Sequence, residues 1–250
     1  MTVILAALMF AQTPDIRDLM KDVQAHQAKL DEIRDNYTFH QTSTVEELDG
    51  SGKVVKSTTS ESEVFFVNGW RVSRLVKRDG KPVPEEDVTK KVTARAKKPP
   101  PKRGPGLLAQ ILAVAVISNP RRTTMNGRAA LAYDFKGNPK AESHGLAQDA
   151  LKKMAGAIWF DEAEHQIIRA EIEFFENFRI GGGLLANVQK GSRVDIEQAP
   201  IGDGIWMQSA TDQHLGLRVV FKGVRQNVRT RSFDFRKFDV GMTQSIGSPK

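Results

Sequence analysis

Apolar residues at Ile16, Leu19, Met20, Val23, Leu30 and Ile33 recur at three- and four-residue spacing, which predicts an amphipathic helix. Thr13-Pro14 supplies its start, with Thr as N-cap and Pro at the first helical position, and the pattern runs out near Arg34. The polar side of this helix carries both charge signs, as a surface helix laid on a sheet would. The period then changes to two. Residues 37–48, 53–67 and 70–77 are rich in β-branched and aromatic side chains and read as strands. They are separated by Asp49-Gly50-Ser51-Gly52 and Asn68-Gly69, and Asp79-Gly80 closes the third. Asn-Gly and Asp-Gly between β runs are hairpin signals because both residue types accept positive φ. The chain therefore opens with a helix followed by an antiparallel meander.

The character changes over residues 81–105. A short basic helix is expected from Pro84 to about Lys97, and Pro99-Pro100-Pro101 imposes an extended, stiff linker. Residues 106–118, GLLAQILAVAVIS, are apolar on nearly every side and are expected to form a helix stopped by Asn119-Pro120. Strand patterns return at 121–125 and 128–135 around Asn126-Gly127. A short helix is expected at 146–154. Further strands are expected at 157–160, 167–178, 189–198, 205–214, 217–225 and 227–235, with Gly202-Asp203-Gly204 as a turn.

The alternation is clean in places. Ile168, Ala170, Ile172 and Phe174 share one side, and Arg169, Glu171 and Glu173 the other; Val194 and Ile196 alternate with Arg193, Asp195 and Glu197. One buried side per strand belongs to antiparallel sheets. The lack of βαβ alternation argues against a doubly wound fold, and no repeat of 20–50 residues is present. The expected fold class is α+β: a strongly curved antiparallel sheet, an incomplete barrel, with helices packed in or over its concave face.

The 250 residues hold 40% hydrophobic and 27% charged side chains, ordinary globular values. There is no cysteine, which excludes disulfides, thiolate metal sites and cysteine nucleophiles. Net charge is +7 and unevenly spread. Residues 77–103 hold ten Lys/Arg against four Asp/Glu, and residues 218–237 seven against one. Two such zones suit anionic headgroups or nucleic acid, or are solvated loops and strand faces. Residues 2–11, TVILAALMFA, resemble the apolar core of a secretory signal peptide, so a mature chain beginning near Gln12 is expected. No basic residue precedes the run, and a buried N-terminal strand is the alternative reading.

Catalytic patterns are weak. Gly50-Ser51-Gly52-Lys53 has Glu47 where a phosphate loop needs its first glycine, and a strand follows it. Gly181-Gly182-Gly183 reads as a bulge or flexible turn. His26, His40, His144, His165 and His214 are scattered, without the spacing of metal ligands. Asp161, Glu162 and Glu164 fall in a predicted hairpin turn, where solvated acids are ordinary.

Three stretches resemble the outer-membrane lipoprotein-sorting proteins, the LolA/LolB/RseB-like group. They are the opening helix leading into residues 36–66, the hairpin of Asn126-Gly127-Arg128 with Tyr133 and Phe135, and Gly156, Trp159 and Asp161 continuing to Ile168, Arg169 and Glu171. The resemblance implies an incomplete barrel plugged by helices, with a cavity for lipoprotein acyl chains or other lipids, or for sensing envelope components. Residues 81–105 look like an insertion in that framework. No carrier residue of the group has a counterpart to transfer.

The expectation is thus a non-enzymatic periplasmic binding protein for lipid or lipoprotein acyl chains, exported, soluble and monomeric, without cofactor or metal. The alternative is an envelope-stress sensor or protein-interaction module of the RseB type, partnered by an envelope membrane protein. Nucleic acid is not an expected partner. Residues 12–240 form the expected domain and 241–250 a tail. Curved sheets need an apolar filler, and residues 106–118 are the candidate filler or lid. The apolar cavity candidates are Phe66, Trp70, Leu108, Ile111, Leu112, Trp159, Ile168, Ile172, Phe174, Val194, Ile196 and Trp206. A solid core without a pocket remains the bland alternative.

Overall fold

The computed structural model describes residues 16–84, 88–102, 104, 106–219 and 222–237. The expected signal segment, the helix start at Thr13-Pro14, Glu85 to Asp87 and the 241–250 tail lie outside the described residues. In chain order the elements are α1 (Ile16–Arg34), β1 (Tyr37–Leu48), β2 (Val54–Val67), β3 (Trp70–Arg78), β4 (Lys81–Pro82), α2 (Thr89–Ala96), α3 (Leu107–Val114), β5 (Ala115–Met125) and β6 (Arg128–Gly137). They continue with α4 (Leu146–Leu151), β7 (Met154–Asp161), β8 (Ile167–Phe174), β9 (Phe178–Ile180), β10 (Ala186–Val188), β11 (Arg193–Gly202), β12 (Ile205–Val219) and β13 (Lys222–Lys237).

The strands form one antiparallel sheet in the order β4-β3-β2-β1-β13-β12-β11-β8-β7-β6-β5, which does not close on itself. The pairing of β1 with β13 joins the two halves of the chain. Tight turns set the hairpins: Asn68-Gly69, Asp79-Gly80, Asn126-Gly127 and Asp203-Gly204 all take positive φ at both residues. That is the backbone of a type I′ turn, whose twist matches the strands it joins.

The inner face of the curve carries the helices. Leu19, Met20 and Val23 of α1 and Leu108, Ile111 and Val114 of α3 pack on Leu131, Tyr133 and Phe135 of β6, Ile158 and Phe160 of β7, and Ala170 and Ile172 of β8. A second core lies where α1 ends: Tyr37, Phe39, Val64, Ile205 and Met207, with Ile33, Phe66 and Phe235 against it. A third, small cluster holds Ala130, Ile168 and Trp206, with Met125 and Trp159.

Several expectations need correction. The apolar helix ends at Val114 rather than Ser118, and Ala115 already begins β5. Asn119-Pro120 does not stop a helix; it occupies an irregularity of β5 between Ser118 and Arg121. β5 is the last strand of the sheet, so Pro120 interrupts no ladder on its outer side. Asn119 takes φ 51° there, with its amide donating to Asp134 Oδ2 at 2.8 Å. The three strands expected between 205 and 235 are two long ones. Gly216 is not a turn: it lies inside β12, paired with Arg225, and the Gln189 side chain crosses it 2.7 Å from where a Cβ would stand. The ribbon of β9 and β10 was not expected at all.

Side-chain direction departs from simple alternation at β8. Trp159 pairs with Arg169 but Phe160 pairs with Ile167, so Ile168 is an extra residue on β8. This bulge turns Ile168 away from Ala170 and Ile172 toward Trp159 and Trp206. Ile158 and Phe160 face the helices, so Trp159 between them points to the outer face. Trp206 likewise alternates with the inward Ile205 and Met207. Arg169, Glu171 and Glu173 are on the outer side as expected, with Arg169 paired to Glu171 and Glu197.

Of the acids at the β7–β8 turn, Glu162 and Glu164 are partly exposed, but Asp161 is not solvated. Asp161 is 1% exposed, and its carboxylate accepts from Arg128 Nε and from the backbone amides of Ala163 and Glu164. Arg128 also reaches Glu164, whose other oxygen accepts from Trp206 Nε1 at 2.8 Å. Burial pushes the Asp161 pKa up, but Arg128 and the two amides outweigh it and leave the carboxyl below its ordinary range.

A candidate ligand-binding groove on the inner face

α1 and α3 cover only part of the inner face. Beyond Phe39, β1 has polar side chains on both sides: Gln41, Thr42, Ser43 and Thr44. The same holds for β2 from Lys56 to Glu63. A central strand without an apolar side has nothing packed on it, and here a groove of about 440 Å³ opens beside the second core. That size lies within the usual range for small-ligand sites, roughly 300–1,000 Å³.

The groove is amphipathic. Phe39, Phe66 and Met207 form an apolar end continuous with the second core. Gln41, Gln198, Gln208, Gln213, Thr211, Thr230 and Ser232 line the rest, together with Arg34 and Arg71. No acidic residue lines it. Arg34 is anchored, donating from Nε and Nη2 to the Trp206 carbonyl at 3.2 and 3.1 Å.

Arg71 is different. It pairs with Phe66 across β2 and β3 and stands over the groove. Its Nη2 donates to Gln41 Oε1 at 2.7 Å, and Gln41 Nε2 passes the chain to Ser232 Oγ at 3.3 Å. No carboxylate among the described residues pairs with it. Partial desolvation pushes its pKa down from the free value, though a guanidinium remains charged at neutral pH. On the opposite wall, Gln198 Oε1 is buried without a hydrogen-bond partner. A partly desolvated cation without a carboxylate partner among the described residues is an open valence for an anionic group in this groove.

Of the sequence-derived cavity candidates, Phe66 lines this groove. Val194 and Ile196 are half-buried beside it, paired with Gln213 and Thr211 of the groove wall. Leu108, Ile111 and Ile172 are buried in the main core with Leu112 packed against it, and none of them lines the groove. Ile168, Trp159 and Trp206 form the outer cluster. Phe174 is half-buried and stacks on Phe178, ring centroids 6.2 Å apart. Trp70 faces neither core. Its Nε1 donates to the Pro99 carbonyl at 2.9 Å, and Arg95 lies 4.7 Å from its ring centroid. The basic segment is thereby strapped onto the β2–β3 hairpin, with Asn68 Nδ2 donating to the Lys98 carbonyl at 2.5 Å.

The polar lining of the groove was missed because glutamine and threonine carry no motif. The signal was present as a contradiction: β1 and β2 are long strands whose middle stretches, Gln41 to Thr44 and Lys56 to Glu63, have no apolar side.

No group of His, Asp and Glu among the described residues is arranged to hold a metal ion. No described helix is long and apolar enough to cross a membrane.

No family model and no curated protein matches the chain. Several solved structures are similar to it, among them the following three. The first is a putative outer membrane lipoprotein-sorting protein domain from Vibrio parahaemolyticus, 9% identical, covering 90% of this chain and 95% of that one at a TM-score of 0.36. The second is a DUF1329 family protein from Desulfovibrio piger, 11% identical, covering 89% and 94% at 0.31. The third is MucB in complex with MucA(peri), 10% identical, covering 90% and 100% at 0.26. The first and third bear names from the group that the sequence motifs resemble. Identities and TM-scores this low carry nothing about ligand or partner.

Proposed function

We propose that this chain is a non-enzymatic binding protein of the cell envelope, and that its inner groove takes a lipid or lipoprotein acyl group bearing an anionic or polar head. The observation that carries the reading is the groove itself: an apolar end at Phe39, Phe66 and Met207, an unpaired Arg71 above it, and no acid in the lining. Burying methylenes against the phenylalanines would contribute ~0.8 kcal/mol each. The guanidinium would meet a carboxylate or phosphate bidentately. The sequence resemblance to lipoprotein-sorting proteins leads to the same class, and the apolar run at residues 2–11 fits export to the periplasm.

The test is direct. Protein purified from a bacterial periplasm is extracted with organic solvent and the extract analysed by mass spectrometry, and the delipidated protein is titrated with a dansyl-labelled fatty acid. Acyl species in near-stoichiometric amount, and probe binding lost in Arg71→Glu with the melt unchanged, are the expected results. Absence of both retained acyl species and probe binding in the wild type would overturn the reading.

The four glutamines favour a second reading. Gln41, Gln198, Gln208 and Gln213 could hydrogen-bond an extended peptide, such as a segment of an envelope membrane protein, as an RseB-type module would. A groove that ignores the fatty-acid probe and yields no lipid would turn the choice to this one.

A further inference from the structure

The end of β12 away from the C-terminus of α1, which rests on Trp206, carries a different surface. Leu184 is 80% and Leu185 64% exposed, side by side in the connection between β9 and β10. Gly181, Gly182 and Gly183 precede them at φ 59°, 66° and 95°, a left-handed run that L side chains rarely adopt. A Cβ on Gly181 would stand 2.8 Å from the Leu185 side chain. The connection is therefore a tight, glycine-dependent turn that holds two leucines in solvent rather than a loose loop.

β10 fixes where the leucines are. Ala186 pairs with Val219, so Leu185 emerges beside the end of β12, where Val219 is itself 47% exposed. Between this turn and the β1–β2 turn lies a cleft of about 820 Å³, whose walls include Leu48, Leu184, Leu217, Val224, Arg218 and Arg225. Neither Arg218 nor Arg225 forms an ion pair with a described residue; Arg225 donates only to the Gly50 carbonyl at 2.9 Å. Further along β13 the arginines are neutralised, Arg229 by Glu46 and Arg231 by Asp212. The one acid in the cleft, Asp49, is turned to its own loop, accepting from Ser51 and from the Lys53 amide.

We propose that this end of the sheet is a docking surface for an anionic phospholipid bilayer, with Leu184 and Leu185 entering the headgroup region and Arg218 and Arg225 meeting lipid phosphates. Charge complementarity selects the partner. Among the described arginines of β12 and β13, those without an ion pair lie at this end and need anions, while the adjacent leucines need an apolar medium, and an acidic membrane surface offers both within a few ångströms. A projecting turn suits a deformable bilayer. This surface is apart from the inner groove, and the inference does not depend on what that groove holds.

The full chain is mixed with vesicles of phosphatidylglycerol and phosphatidylcholine, or of phosphatidylcholine alone, and sedimented at low and high salt. Wild-type protein should sediment with the anionic vesicles only, less so at high salt. Leu184→Asp/Leu185→Asp and Arg218→Glu/Arg225→Glu should each weaken that binding about tenfold or more, with unchanged circular dichroism and melting. Leu184→Trp should blue-shift its emission, above the background of the native tryptophans, when the anionic vesicles are added. The inference is overturned if the wild type ignores anionic vesicles, which would leave this surface to a protein partner. It is equally overturned if folded variants bind like the wild type, or if Arg71→Glu, in the groove, abolishes binding while the leucine variant does not.

Discussion

Arg128 shows how a residue that looks like motif decoration organises its surroundings. It begins β6, covers the Trp206 ring at 5.4 Å, and closes the ion pair with the buried Asp161. Removing it leaves a carboxylate at 1% exposure with only two backbone amides for company. Arg128→Met should therefore destabilise the fold by on the order of 2 kcal/mol, read from urea melts at pH 7. The pH dependence has a definite sign. The folded pKa of Asp161 is depressed, so its contribution is present above the unfolded value near ~3.9 and is lost as pH falls through the folded one. Wild-type stability should drop in that acid window. Asp161→Asn should start lower at neutral pH and show a shallower drop.

At the scale of elements, α3 separates a filler from a lid. Leu108, Ile111 and Val114 are at most 2% exposed and touch α1, α4 and the inner strands, while Leu107 on the far side is 40% exposed. An element whose buried side joins the main core cannot swing out without opening that core. Ile111→Asp should abolish cooperative melting, because an unpaired charge would enter the main core. Leu107→Asp should shift stability by no more than about 0.5 kcal/mol. Equal tolerance of both, measured by thermal denaturation, would return α3 to the role of a lid. Gly156 makes a similar point for β7: a Cβ there would stand 1.8 Å from the Glu171 carbonyl and 3.0 Å from the Phe135 ring. Its place in the motif with Trp159 and Asp161 thus reflects strand packing rather than ligand chemistry.

Over the whole molecule the sheet is continuous but its support is not. β6, β7 and β8 lie under α1 and α3, whereas the middles of β1, β2 and β13 have water on both sides. Backbone opening is easiest where few apolar contacts resist it. Hydrogen exchange should accordingly be slowest at Leu131 to Phe135 and Ile158 to Phe160. It should be markedly faster at Ser57 to Glu61, and at Gln41 to Glu46 although β1 is paired on both sides there. Uniform protection across the sheet would mean that something else covers the groove. Ligand in the groove should slow exchange at Gln41 and its neighbours and leave β6 unchanged.

Periodicity alone determined a good deal of this protein. The first helix, the three-strand meander, the I′ turns and the α+β curved sheet were readable because each rests on local chemistry: glycine and asparagine at positive φ, β-branched runs, apolar residues at helical spacing. Local patterns also placed Ile172 in the core, and Arg169 and Glu171 outside it. The tertiary structure decided the rest. One extra residue at Ile168 reversed the side on which an isoleucine and two tryptophans meet, and no local pattern marks a bulge that depends on the partner strand's register. The end of α3 at Val114 was hidden because Ala115 to Ser118 suit strand and helix equally, and only pairing with β6 chose strand. The groove exists because α1 is long enough to cover two cores and no more. Its lining is polar because residues that nothing covers must remain compatible with water.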